Sequence, residues 1–248
     1  MQPDITAPGV NILGAWSPVA LVGNRAVDYN IISGTSVACP HVSGAAAIIK
    51  SKSWSPAAIM SALMTTATLE ANTHGPILRS PNGTQSTPFD YGSGHLNTVA
   101  ALNPSLVYNF GPKDVIDFLC GNGAIPGDLK NLTGEATKCA TPLVPSYNFN
   151  YPSIGVAAMT GKMTVYRTVT NVHEGNWVYR ASVENPEGVH VNVVPEKLEF
   201  SQVGEKKSFR IELVPSKPGN GSFVFGSITW SDGTHKVRSP IGLNVISV

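Results

Sequence analysis

Ser36 is the residue in this sequence best placed to do chemistry. It lies in Ile32-Ser33-Gly34-Thr35-Ser36-Val37-Ala38-Cys39-Pro40-His41-Val42-Ser43-Gly44, where a turn of small residues leads into an Ala/Gly-rich helical stretch. A serine at such a junction has its hydroxyl beside the free N–H groups and positive dipole end of a helix. Those donors suit the oxyanion that forms when a serine attacks an acyl carbonyl. The same residue also reads as an ordinary helix cap, a position serine favours in any protein. His41 follows five residues later on the same stretch, rotated off the serine's face, and reads as a packed helix histidine rather than a general base. Cys39 has apolar neighbours and is expected to be a buried, inert thiol. Pro40 is expected within about the first turn, where a missing N–H costs least.

The residues around the serine carry a resemblance. Gly34-Thr35-Ser36-Val37-Ala38-Cys39-Pro40-His41-Val42-Ser43-Gly44 resembles the nucleophile segment of subtilisin-like serine proteases, with Val37 where that family usually has Met. Pro3 to Leu13 resembles the strand and turn that precede the segment, and Trp54 to Ile59 with Ala62 to Ala67 resembles the helix that follows. The likeness is closest to the plant, cucumisin-like branch. It implies a serine endopeptidase that works through an acyl-enzyme on polypeptide substrates, outside the cell, with no cofactor and no metal. Ser36 would be the nucleophile and its own N–H one oxyanion donor.

In that family the triad runs Asp, His, Ser along the chain. Only 35 residues precede Ser36, and neither the Asp and His motifs nor the oxyanion Asn appear among them. Asp4 resembles the aspartate of the pre-nucleophile strand, not the catalytic one. The expectation is the C-terminal part of a subtilase, completed by an N-terminal catalytic part or a second subtilase chain. The alternative is an inactive fragment or pseudoenzyme that acts as a binding module. Residues 1 to about 110 are expected to be marginal without a partner, with an exposed sheet edge and bare helix faces, while the C-terminal domain folds alone.

Composition agrees with a globular chain. The 248 residues are 42% hydrophobic and 13% charged with a formal net charge of +1, which supplies a core but no electrostatic footprint for nucleic acid or an anionic membrane. No apolar run approaches the roughly 20 residues of a membrane span, and the start lacks the pattern of a signal peptide.

The elements that must position the serine are a strand over Val10 to Trp16, a loop, a strand over Tyr29 to Ser33, and a helix from Ser36 to about Lys50. That helix is apolar nearly all round and is expected to be central. A second helix begins with Ser55 as cap and Pro56 behind it. Two helices after short strands fit one half of an α/β layer. Tyr91-Gly92-Ser93-Gly94-His95 resembles a family segment that returns to the core, its glycines permitting close backbone packing. His95 reads as structural, since it lacks metal-spaced partners.

Lys113 to Leu119 reads as a short amphipathic helix, and the remainder to Ser146 as loop and hinge. Cys120 and Cys139 flank that loop and read either as a disulfide or as free thiols. Three sequons, at Asn82, Asn131 and Asn220, favour an oxidising, secreted setting in which the two would pair. From Tyr147 onward about seven short strands separated by turns mark a β-sandwich. Arg167-Thr168-Val169-Thr170-Asn171-Val172 and Trp230-Ser231-Asp232-Gly233 there resemble the fibronectin III-like domain of plant subtilases. The expected fold is therefore a partial α/β subtilisin-like domain over 1–110, a connecting segment over 111–146 and an all-β sandwich over 147–248.

Overall fold

A computed structural model describes residues 1–248. Its first region opens with β1 (Ile12–Ala15) and β2 (Tyr29–Ile32), an antiparallel hairpin in register Ile12 to Ile32. Two helices follow, α1 (Thr35–Lys50) and α2 (Pro56–Thr65). Ser55 caps α2 by accepting from the Ala58 N–H at 3.1 Å, with Pro56 at the first helical position. Helix α2 is buried along most of its length, with Ala57, Ala58, Ile59, Ser61, Ala62, Leu63, Met64 and Thr65 all inside. Helix α1 corrects the sequence reading: only Ala45 and Ile49 are buried, because α2 covers one face and nothing packs on the other. The hairpin is bare as well, with Leu13, Tyr29 and Ile31 each more than 60% exposed.

Two short helices, α3 (Pro88–Tyr91) and α4 (Thr98–Ala101), bracket the returning segment. Gly94 and Leu96 bond the backbone of Thr6 while His95 bonds that of Thr68, so the glycine-rich stretch is stitched between the chain start and the end of α2. Helix α3 is closed by a capping box in which Asp90 accepts from the Thr87 N–H and hydroxyl and, at 2.6–2.9 Å, from Arg79. The Arg79 bond, followed by the Thr87 N–H, holds the Asp90 carboxyl at about 2, below its ordinary 3.8. A carboxyl depressed on folding contributes stability above its unfolded value, and that contribution is lost as pH falls through the folded one. The α3 turn should thus loosen between pH 3.8 and about 2. An NMR titration of the Asp90 carboxyl should show this low midpoint, and Arg79→Gln should raise it; an unmoved midpoint would contradict the pairing.

The second region is a β-sandwich. One sheet has the order β4 (Ile154–Thr160), β11 (Lys236–Ser247), β10 (Val224–Ser231), β6 (Trp177–Glu184), β8 (Lys197–Phe200). The other has the order β3 (Leu106–Tyr108), β5 (Met163–Asn171), β9 (Lys206–Pro215), β7 (Val189–Val194). Inward residues alternate along β5, β7 and β9 as a half-buried strand requires. They form a core of 22 residues around Trp230, Tyr179 and Ile211.

Strand β3 is the surprise. It lies before the connecting segment, within the residues assigned to the first region, yet it pairs antiparallel with β5 and puts Leu106 and Tyr108 into the sandwich core. The sandwich expected from residue 147 thus takes the edge strand of one sheet, residues 106–108, from the region before it. Tyr108 donates its N–H to the buried Ser61 hydroxyl of α2, and its own hydroxyl pairs with Ser239 of β11, both at 2.8 Å. Small residues Ala58 and Ala62 of α2 meet Val107, so the helix lies close against the sheet.

The connecting stretch is also more ordered than its composition implied. It holds α5 (Pro112–Gly121) and a second helix, α6 (Pro126–Thr133), where loop was expected. Gly127, Asn131 and Thr133 masked α6, which begins on Pro126 and ends on left-handed Gly134. Cys120 and Cys139 are joined by a disulfide, with Cα atoms 5.7 Å apart. Phe110, Phe118, Phe149 and Tyr151 stack in a chain of rings with neighbouring centroids 4.6–6.4 Å apart.

Candidate active site

Ser36 occupies the second position of α1 and is exposed. The turn before it is held from behind. Gly9 accepts the Gly34 N–H at 2.8 Å, and the Ser33 hydroxyl accepts the Asn11 N–H at the same distance. Gly9 has to be glycine for a steric reason, since a Cβ there would stand 2.9 Å from the Gly34 oxygen and 3.0 Å from Ala38 Cβ. The first helical N–H groups with a carbonyl partner are those of Val37 and Ala38, both to Gly34, which leaves the amides of Thr35 and Ser36 open at the surface. Open amides at the head of a 16-residue helix form a donor pair for an anion next to the serine hydroxyl.

Pro40 sits one turn deeper than expected, at the sixth helical position. Having no N–H, it cannot pair with the Ser36 carbonyl, which is left out of the helical ladder. His41 directs Nδ1 to the Val37 carbonyl at 3.0 Å, and five residues of helix separate its Cα from that of Ser36 by about 7.5 Å along the axis. Its ring is tied to its own helix and does not meet the serine. Three other imidazoles are hydrogen-bonded elsewhere, His74 to Glu70, His95 to the Leu96 carbonyl and His235 to Asp232, while His173 packs on Trp177 and His190 lies on β7 of the sandwich.

Cys39 is exposed, contrary to expectation, because it lies on the uncovered side of α1 together with Ser36 and Ser43. Asp4 acts as a structural acceptor, taking the Tyr151 hydroxyl at 2.6 Å and joining the chain start to the sandwich. Burial, followed by this bond, pushes the Tyr151 phenol well above its ordinary value. The sequon asparagines Asn82, Asn131 and Asn220 are all exposed, the second on α6 and the others in turns where their side chains accept the N–H two residues on. Cys120 is buried and Cys139 half-buried at their bridge.

Arg167 escaped functional notice in the sequence, where it looked like one residue of an alternating strand. It is 3% exposed and donates to the carbonyls of Tyr147, Tyr151, Ser153 and Tyr166. A polar residue at an inward position of β5 was the available signal.

Comparison with known proteins bears on both regions. The profile of the Subtilase family matches residues 1–97, and that of the Fibronectin type-III domain matches residues 148–243. The chain is 62% identical over 245 residues to Subtilisin-like serine-protease S of Lotus japonicus, covering 97% of this chain and 32% of that protein. It is 45% identical to Subtilisin-like protease SBT5.3 of Arabidopsis thaliana, with coverage of 97% and 32%. Against the CO(2)-response secreted protease of the same plant it is 44% identical, with coverage of 97% and 33%. The chain thus spans about a third of the length of the curated relatives it matches. Its serine stands at a glycine-held helix start inside the matched stretch, and a fibronectin III-like sandwich follows: the chain belongs to the plant subtilisin-like serine protease family.

Proposed function

We propose that this chain carries the nucleophile-bearing part of a secreted serine endopeptidase, with Ser36 as the attacking residue. The observation that supports it most is the open amide pair of Thr35 and Ser36 beside the exposed hydroxyl, within the stretch matched by the Subtilase family. Attack on a peptide carbonyl would place the oxyanion against those amides. The imidazole base, its aspartate and a side-chain oxyanion donor are supplied from outside these 248 residues, by an N-terminal catalytic part or another subtilase chain. The uncovered face of α1 and the bare β1–β2 hairpin are where such a part would pack. We assign residues 1–110 to the peptidase part, 111–146 to the connection and 147–248 to the sandwich, which borrows β3. The name of one relative, a secreted protease, together with exposed sequons and a disulfide, supports an extracellular glycoprotein modified at Asn82, Asn131 and Asn220.

A second reading is favoured by the position of His41: with no imidazole at Ser36, the chain alone would be a binding module. Loss of triad members leaves only residual catalysis, commonly about 10³–10⁴-fold over water. A fluorophosphonate probe separates these readings. The chain alone should not label, whereas mixing it with the N-terminal two thirds of the Lotus relative should give an adduct on Ser36 that Ser36→Ala abolishes. Labelling of the chain alone would place a base within it and overturn the need for a partner. No labelling in a stable mixture would leave the binding-module reading.

A further inference from the structure

A polar cleft of about 670 Å³ lies between the first region and the outer face of the sandwich. One wall is the stretch Thr65–Leu69 with Asn97 and Asn103, and the other is the surface of β6, β10 and β11. Its size falls within the about 300–1,000 Å³ common for small-ligand clefts, but its lining is unlike that of an apolar pocket. On the sheet, Thr229 stands in register between Ser182 and Arg238, and Ser231 stands opposite Lys236, so hydroxyls and cations lie side by side.

Those cations are unmatched. Neither Arg238 nor Lys236 forms an ion pair, and the nearby Glu184 takes the Ser227 hydroxyl at 2.6 Å instead. Arg238 is partly buried, and its one hydrogen bond, to the Ser93 carbonyl, is long at 3.4 Å. Burial pushes its guanidinium below the ordinary value, with Tyr91 and Glu184 working the other way. A desolvated guanidinium with most of its donors idle is costly, and a carboxylate fits its planar fork in two parallel bonds.

The rest of the wall selects what carries that carboxylate. Strand β10 is paired on both sides, by β11 and β6, so no extended peptide can add itself here as a further strand. Recognition falls to side chains: the Thr229 hydroxyl and the Asn97 amide N–H groups can donate, while the Thr66 and Ser182 oxygens, whose own hydrogens go to the Ala62 and Thr229 carbonyls, can accept. Glu184, which already accepts the neutral Ser227 hydroxyl, has further lone pairs for the hydroxyls of a ligand. From these features we propose that the cleft is a binding site for an acidic sugar of the uronate class, its carboxylate on Arg238 and Lys236 and its ring hydroxyls on Thr229, Ser182, Asn97 and Glu184.

The test is calorimetric titration of the full chain with trigalacturonate, alongside maltotriose and triglutamate. Trigalacturonate should bind saturably, and neither the neutral sugar nor the acidic peptide should match it. Arg238→Gln should weaken binding at least tenfold, and Thr229→Val, which removes a hydroxyl without changing charge, severalfold at an unchanged melting temperature. Should Arg238→Gln fail to fold, Lys236→Gln and Thr229→Val carry the test. Lys162→Gln, on the remote β5 side, should change nothing. Absence of saturable binding, equal binding of triglutamate, or indifference to Thr229→Val would overturn the assignment.

Discussion

Arg167→Ala should lower the unfolding free energy by about 3–5 kcal/mol, among the largest single-residue effects expected in this chain. The guanidinium faces no carboxylate; its charge is satisfied by the carbonyls of Tyr147, Tyr151, Ser153 and Tyr166, all but the last on the segment that leads into β4. Burial has already pushed its ionisation down to about 10, so the site holds the cation against a desolvation cost. Removing it strands several carbonyls and leaves a void beside the core. Arg167→Lys should be intermediate, because an ammonium keeps the charge but not the fork. Urea unfolding measures both. A loss under about 1 kcal/mol for the alanine variant would mean that water replaces the guanidinium freely.

Gly92→Ala should be nearly as damaging, for a different reason. Gly92 has φ 65°, and a Cβ there would lie 2.4 Å from the Asp4 carbonyl carbon and 2.5 Å from both the Asp4 and Pro3 oxygens. Gly92 pairs its positive φ with ψ −120°, a conformation outside the ordinary wells that costs a side chain about 1–3 kcal/mol, and overlap with backbone rather than a movable side chain adds about 1–3 kcal/mol. Gly83→Ala is the matched control, since Gly83 has φ 68° but open space around its Cβ direction. It should show the strain without the overlap. Hydrogen exchange should locate the Gly92 effect at the Thr6 and Leu96 amides and spare the ladder between β5 and β9. Equal losses in the two alanine variants would refute the close-packing explanation.

What the sequence revealed follows the range of the interactions involved. Ser36 and its glycine turn, the Ser55–Pro56 helix start and the alternating strands after residue 160 are local patterns, written within a few residues. The close packing expected of Tyr91-Gly92-Ser93-Gly94-His95 was legible because glycines were the only side chains that fit. Features decided across long separations were not. Leu106–Tyr108 looks like any apolar exit until Asn171 and Val169 are placed beside it, and Arg167 looks like a surface residue until the 147–153 segment folds over it. The reading of α1 erred because an apolar helix reveals that it needs cover, not whether this chain provides it. Exposure of Cys39 follows from the same cause. Helix α6 was hidden by weak helix formers that packing of Leu129 outweighs.

One consequence of the borrowed strand concerns breakage. Because β3 lies before the connecting stretch and the rest of its sheet after it, residues 111–146 form a loop that leaves the sandwich and returns to it. A cut at exposed Glu135 or Ala136 would leave two pieces still held by the β3–β5 ladder, by the Tyr108–Ser239 hydroxyl pair and by the bridge from Cys120 to Cys139. Such a nicked molecule would travel as one particle, with the serine-bearing half clamped to the sandwich and separable only after reduction and unfolding.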